Sequence, residues 1–150
     1  MQILIKNARV IDTEQATENQ RDVYLSDGKI AAYDQAPAGF TAERTIDATG
    51  LALLPGLVDL SARLREPGFE YKATLESELQ AAIRGGVTSL VTPPDTDPVL
   101  DESGLVEMLQ QRAKAQQKAR VYPLGALTQG LAGKKLTEMA ELSQAGCIGF

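Results

Sequence analysis

Ser61, Arg63 and Arg65 alternate with Leu60, Ala62 and Leu64, and this short stretch carries most of the sequence's chemical potential. In an extended strand, residues two apart point to the same side. A hydroxyl and two guanidiniums therefore share one face, and three apolar side chains share the other. Such a polar row is costly in a core and natural at the mouth of a site. Arg65 is the candidate anion-binding residue, because its planar fork of donors matches a carboxylate. The competing possibility is an ion pair from Arg65 to Glu66 or Asp97 that ties the loop. Metal chemistry finds few donors. The 150 residues contain no histidine, Ser61 offers a weak neutral oxygen, and Arg63 has no lone pair to give. Asp59, Asp95 and Asp97 are oxygen donors of the type Mg²⁺ or Ca²⁺ takes, but Arg63 and Arg65 would be their neighbours. No Gly-x-x-x-x-Gly-Lys loop, Gly-x-Ser-x-Gly elbow or Cys-His combination is present.

The elements that must hold these residues follow from pattern. Leu54-Pro55-Gly56 opens the stretch and Pro67-Gly68 closes it, which predicts a buried strand over 57–64. Before it, residues 1–55 read as β-structure. Ile3, Ile5, Val10 and Ile11 open the chain, and Val23, Leu25, Ile30 and Ala32 flank an Asp27-Gly28 turn suited to a two-residue hairpin. Residues 14–22, polar and rich in Glu, Gln and Asn, read as a solvated loop. After it, strand and helix alternate, which argues for parallel βα units. Tyr71, Leu75, Leu79, Ala82 and Ile83 recur at helical spacing up to Gly85-Gly86, and the β-branched run 87–92 ends at Pro93-Pro94. Asp101 is placed to cap a helix with Leu105, Met108, Leu109 and Ala113 inward. A strand at 121–124, a helix carrying Leu136, Met139, Ala140 and Leu142, and a fourth strand from Cys147 complete the series.

Composition narrows the function classes. With 15 basic and 20 acidic residues the net charge is −5, and Lys134-Lys135 is the single basic block, so nucleic acid and anionic membrane are poor partners. No run approaches the roughly 18 apolar residues of a membrane helix, and we expect a cytoplasmic protein. Cys147 lies among Gly146, Ile148, Gly149 and Phe150 and reads as a packed thiol.

The run Leu54-Pro55-Gly56-Leu57-Val58-Asp59-Leu60-Ser61-Ala62-Arg63-Leu64-Arg65-Glu66-Pro67-Gly68 resembles the first barrel strand of the amidohydrolase superfamily. The likeness is to its dihydroorotase branch, whose motif is Pro-Gly-x-Val-Asp-x-His-x-His-x-Arg-Glu-Pro-Gly. Pro93-Pro94-Asp95-Thr96-Asp97-Pro98 resembles the family's Met-Pro-Asn-Thr-x-Pro, and Gly125-Ala126-Leu127-Thr128-Gln129-Gly130 its Gly-Ala-Leu-Thr-x-Gly. The resemblance implies an α/β fold. Residues 1–55 would form a small N-terminal β-sandwich segment, and 56–150 the N-terminal portion of a TIM (β/α)8 barrel. Such a barrel ordinarily takes about 250 residues, so we read the chain as the first part of a longer protein. In that family the His-x-His pair binds zinc and the following Arg binds the substrate carboxylate. Here Ser61 and Arg63 replace the two histidines, Arg65 keeps the anion-binding position, and Asp95 replaces an Asn that would bond the substrate. Arg65 and Asp95 are thus vestigial substrate-binding residues on this reading. No metal, no other cofactor and no catalytic residue are expected. The resemblance implies a non-catalytic dihydroorotase homologue, a subunit associated with the aspartate transcarbamoylase catalytic chain in a homo- or hetero-oligomer. The acidic balance would then suit a basic patch on that partner. The alternative is an active amidohydrolase that hydrolyses a cyclic amide through a divergent metal site.

Overall fold

Asp27 and Gly28 both adopt positive φ, 53° and 75°, and join two antiparallel strands with Ser26 opposite Lys29 in the computed structural model, which describes residues 1–150. This is the two-residue hairpin that Asp-Gly favours. Contacts divide the chain into Met1–Pro55 and Gly56–Phe150, each with its own sheet.

The first unit holds β1 (Gln2–Asp12), β2 (Thr17–Ser26), β3 (Lys29–Tyr33), β4 (Arg44–Asp47) and β5 (Ala52–Leu53). Their order is β3-β2-β1-β4, with β5 also on β1. β1–β2 and β2–β3 are antiparallel, whereas β4 and β5 join β1 in parallel. One expectation is corrected here. Residues 17–22 belong to β2 and only 13–16 form a loop, because Asp12 pairs with Thr17 and the ladder runs on from there. The exposed side chains of Thr17 to Gln20 carry no alternation, so pairing with β1 makes this strand while its own pattern does not. The five strands of residues 1–55 form one sheet. Ile5, Val10, Leu25, Ile30 and Leu53 line an open hollow of about 450 Å³. Tyr24 finds cover under Phe40, edge-on at 5.1 Å between ring centroids.

The second unit alternates β6 (Leu57–Asp59), α1 (Leu75–Arg84), β7 (Val87–Thr92), α2 (Ser103–Ala115), β8 (Arg120–Pro123) and α3 (Met139–Gln144). The strands pair in parallel in the order β6-β7-β8, as the strand-helix alternation predicts. Leu64, Leu79, Leu90, Leu100, Leu109 and Leu142 dominate its core. No helix is long and apolar enough to cross a membrane.

Five local details differ from the sequence pattern. The strand at 57–64 shrinks to three residues and is not buried: β6 is a sheet edge, and Val58 and Leu60 keep 62% and 74% of their surface exposed. The ladder still reaches further, since Ala62 N donates to Val91 O at 2.9 Å. Tyr71 lies outside α1 because Thr74 and Ser77 form a reciprocal capping box that starts the helix at Leu75. Asp101 does not cap α2. Its Oδ2 accepts from Gly130 N at 2.7 Å, and Glu102 takes the cap position without a side-chain bond. On α2, Val106 is buried beside Leu109 and Ala113, while Leu105 and Met108 are half-buried. Residues 147–150 form no regular strand, although Ile148 N donates to Pro123 O and Gly125 N to Gly149 O, so the start of a fourth rung lies against β8.

Glu66 anchors the segment between β6 and α1. Its side chain is 6% exposed, Oε2 accepts from Leu75 N at 2.7 Å, and Oε1 pairs with Arg112 of α2. A carboxylate at a helix N-terminus satisfies a free N–H and the positive end of the helix dipole together. Glu66→Ala should therefore lower stability by about 1–3 kcal/mol in chemical denaturation, with Glu66→Gln, which keeps an acceptor for Leu75, losing less. Burial raises the Cys147 thiol above its ordinary value of 9.0. A raised pKa means the folded state holds the proton more tightly, so this contribution is full below the ordinary value and declines as pH rises towards the folded one. Alkylation of the native protein should accordingly stay slow up to that pH and become fast in denaturant; rapid native labelling would refute the packed-thiol assignment.

Candidate functional site

β6 and β7 run side by side and leave the sheet at the same end, so the segments that follow them meet there. Thr88 to Thr92 extend as a β-branched run that the double proline at 93–94 stops. Gly68, at φ 97°, lies against the backbone of Asp97, where a Cβ would clash, and Asp97 N donates to Pro67 O at 3.1 Å. The two strand-end loops are thus joined by backbone.

Arg63 and Asp95 meet across this junction. Arg63 Nε donates to Asp95 Oδ2 at 2.6 Å, a short charge-assisted bond between residues 32 apart in sequence. Their side chains are 52% and 41% exposed. A pair this open contributes roughly 0–1 kcal/mol. Its consequence is local: each charge has a fixed counter-charge.

Ser61 is exposed, and its backbone N–H donates to Asp59 Oδ1 at 2.9 Å, so Asp59 tethers the strand end. Arg65 is half-buried at φ 66°, and its carbonyl accepts from Phe69 N at 2.8 Å. Its guanidinium makes no ion pair; Glu66 turns instead to Arg112, and Asp97 joins no ion pair. Of the three carboxylates considered as a cation site, Asp95 is taken by Arg63 and Asp59 by Ser61 N. No three Asp, Glu, Cys or His side chains converge to hold a metal. The positions where the resemblance places zinc ligands therefore do not fit the ion. One holds a neutral hydroxyl, and the other a permanent cation already bonded to a carboxylate. The space among Arg63, Arg65, Phe69, Thr92 and Asp95 is about 10 Å³, at the lower limit of the roughly 10–15 Å³ that admits one water.

The pairing of Arg63 with Asp95 is the feature that the sequence reading missed. A signal for it was present: the two departures from the motif carry opposite charges and sit at the ends of strands that must be neighbours. Arg112, which holds Glu66, lay in the helical pattern with nothing to mark it.

With this geometry in place, the chain can be set beside known proteins. Residues 50–150 match the family described as Dihydro-orotase-like. The chain belongs to the dihydroorotase-like family. It is 49% identical over 150 residues to a dihydroorotase-like protein of Pseudomonas putida and 48% identical to one of Pseudomonas aeruginosa. It is 44% identical over 151 residues to a dihydroorotase of Syntrophus aciditrophicus. In each case essentially all of this chain is matched, and it spans about a third of the relative, 35%, 36% and 35%. Among solved structures it resembles an L-hydantoinase (dihydropyrimidinase) from Arthrobacter aurescens, with a TM-score of 0.81 and 25% identity over 99% of this chain and 32% of that one. That likeness supports an amidohydrolase-type mixed α/β fold for these residues.

The donor set predicts that metal analysis of the purified full-length protein finds well under one zinc per chain. Replacing Ser61→His and Arg63→His together should raise zinc affinity only in part and give little hydrolysis, because Asp95 would remain. A stoichiometric metal in the unaltered protein would overturn the donor argument.

Proposed function

We propose that this chain is part of a non-catalytic dihydroorotase-like subunit, a structural partner of the aspartate transcarbamoylase catalytic chain in pyrimidine biosynthesis. The observation that carries the reading is the Arg63–Asp95 ion pair, which occupies one position of the family's metal motif and the position of its substrate-binding asparagine. A metal hydrolase needs a cation to polarise the scissile amide and to activate water. A fixed guanidinium in that place repels a divalent ion, and a fixed carboxylate repels an anionic substrate. The scaffold around the pair is intact: the parallel strands, the capped α1 and the core leucines are all in place. Retention of a fold without its chemistry is explained if the fold itself, as a surface for another protein, is the useful product. We place the assembly in the cytoplasm.

One observation favours a second reading. Arg65 keeps an unpaired guanidinium beside the motif, as an active amidohydrolase with a divergent metal site would need for a carboxylate substrate. Two measurements separate the readings. Co-expressed full-length protein should elute with aspartate transcarbamoylase as one large assembly in size-exclusion chromatography, and its removal should lower the stability or activity of the transcarbamoylase. Purified alone, it should show no dihydroorotate turnover above background. Vigorous turnover, or separate elution at micromolar concentration, would refute the scaffold reading.

A further inference from the structure

The carboxylate of Asp95 shares one small space with two guanidiniums. It accepts from Arg63 Nε at 2.6 Å, and with Arg63, Arg65, Thr92 and Thr96 it lines a space of only about 10 Å³. That volume is at the lower limit for one water, so nothing larger enters beside the carboxylate. The loop that carries Asp95 is fixed on both sides. Leu100 N donates to Pro94 O at 3.1 Å, Thr96 Oγ1 to Pro98 O at 2.8 Å, and Asp97 N to Pro67 O at 3.1 Å, with Gly68 packed against the Asp97 backbone. Asp95 is thus held beside Arg63 by bonds that do not involve its own side chain.

A carboxylate on a fixed loop competes at an advantage with a free one. Its contact with the guanidinium is intramolecular, so no translational freedom is lost when the bond forms. A pair of small energetic worth can therefore still be closed to a dilute anion. Charge acts in the same direction, because a carboxylate approaching Arg65 would meet Asp95 in the same space. We propose that Asp95 is an autoinhibitory contact, an internal occupant of the anion position. Its carboxylate holds Arg63 and fills the space beside Arg65, so the unaltered protein takes up no small carboxylate there. The inference goes beyond the scaffold reading and does not depend on which partner is bound. It also divides the labour of the pair: Arg63 keeps a divalent ion away by its charge, and Asp95 keeps an anion away by standing in its place.

The test titrates formate into the full-length protein with its arginines isotopically labelled, and follows the Arg63 Nε–H resonance by NMR at constant ionic strength set with chloride. In the unaltered protein the resonance should stay in place, since Asp95 already holds that donor. Asp95→Ala removes the internal carboxylate and leaves its volume empty, so formate should bind about threefold or more tightly than to the unaltered protein and return the resonance towards its original position. Adding Arg63→Gln to Asp95→Ala should abolish the gain, read from the Arg65 resonance. If Asp95→Ala melts early, Asp95→Asn replaces it; this keeps the shape while removing the charge, and the expected gain is about twofold. Equal formate binding by the unaltered protein, no gain in the Asp95 variant, or a gain that persists without Arg63 each overturns the inference. Co-elution with aspartate transcarbamoylase is read separately, so failure of the scaffold reading and failure of this one are told apart.

Discussion

Parallel pairing along Val87–Thr92 is the constraint on which the second unit depends. Parallel strands cannot be joined by a tight turn and require a crossover, so α1 must lie between β6 and β7, and α2 between β7 and β8. The register then decides what meets at the strand ends. With Asp59 opposite Leu90 and Ala62 bonded to Val91, the chain after β6 rises beside Thr92 and the double proline. Arg63 and Asp95 therefore meet because of the sheet, with no need for attraction to draw the loops together. Their small energetic worth agrees with this order of causes.

Two arginine-carboxylate pairs near this end act differently because their surroundings differ. Glu66 is buried, so removing Arg112 would leave a desolvated carboxylate without its counter-charge, removing Glu66 would leave the Leu75 N–H unpaired, and the pair shapes the fold. Arg63 and Asp95 are half-exposed, and separating them would expose both to water at little cost. The first pair fixes the segment that leads out of β6. The second sets the charge a ligand would meet, and Arg65 is left as the one guanidinium of the motif without a partner.

Legibility in the sequence followed how local each cause is. The Asp27-Gly28 hairpin and the strand 87–92 were readable because turn chemistry, or a β-branched run closed by prolines, acts within a few residues. The strand character of residues 17–22 was not readable, since it comes from pairing with β1 while the side chains stay in water. Tyr71 kept helical phase with Leu75, yet the Thr74–Ser77 box starts the helix after it. Asp101 had the right type and place for a cap, but its carboxylate is taken by Gly130, 29 residues on. At the site, the motif positions of Ser61, Arg63, Arg65 and Asp95 were all legible. The bond between two of them was not, because it depends on register.

That bond also explains how chemistry and scaffold can change independently in one short stretch. Leu64 is 3% exposed and packs with Leu90 and Leu100, whereas Ser61 and Arg63 face solvent from the alternate positions. A replacement on the polar face leaves the packed face untouched. One charged replacement alone would still alter the strand end, because Arg63 beside an asparagine would present an uncompensated cation next to Arg65. Asp95 supplies the opposite charge at bonding distance, and the two departures together leave the net charge of the junction where two neutral residues would have left it. The Arg63–Asp95 pair is then neutral as a unit and fills the junction beside the unpaired guanidinium of Arg65. A metal ion drawn to this point would meet the permanent cation of Arg63, and a carboxylate would meet Asp95.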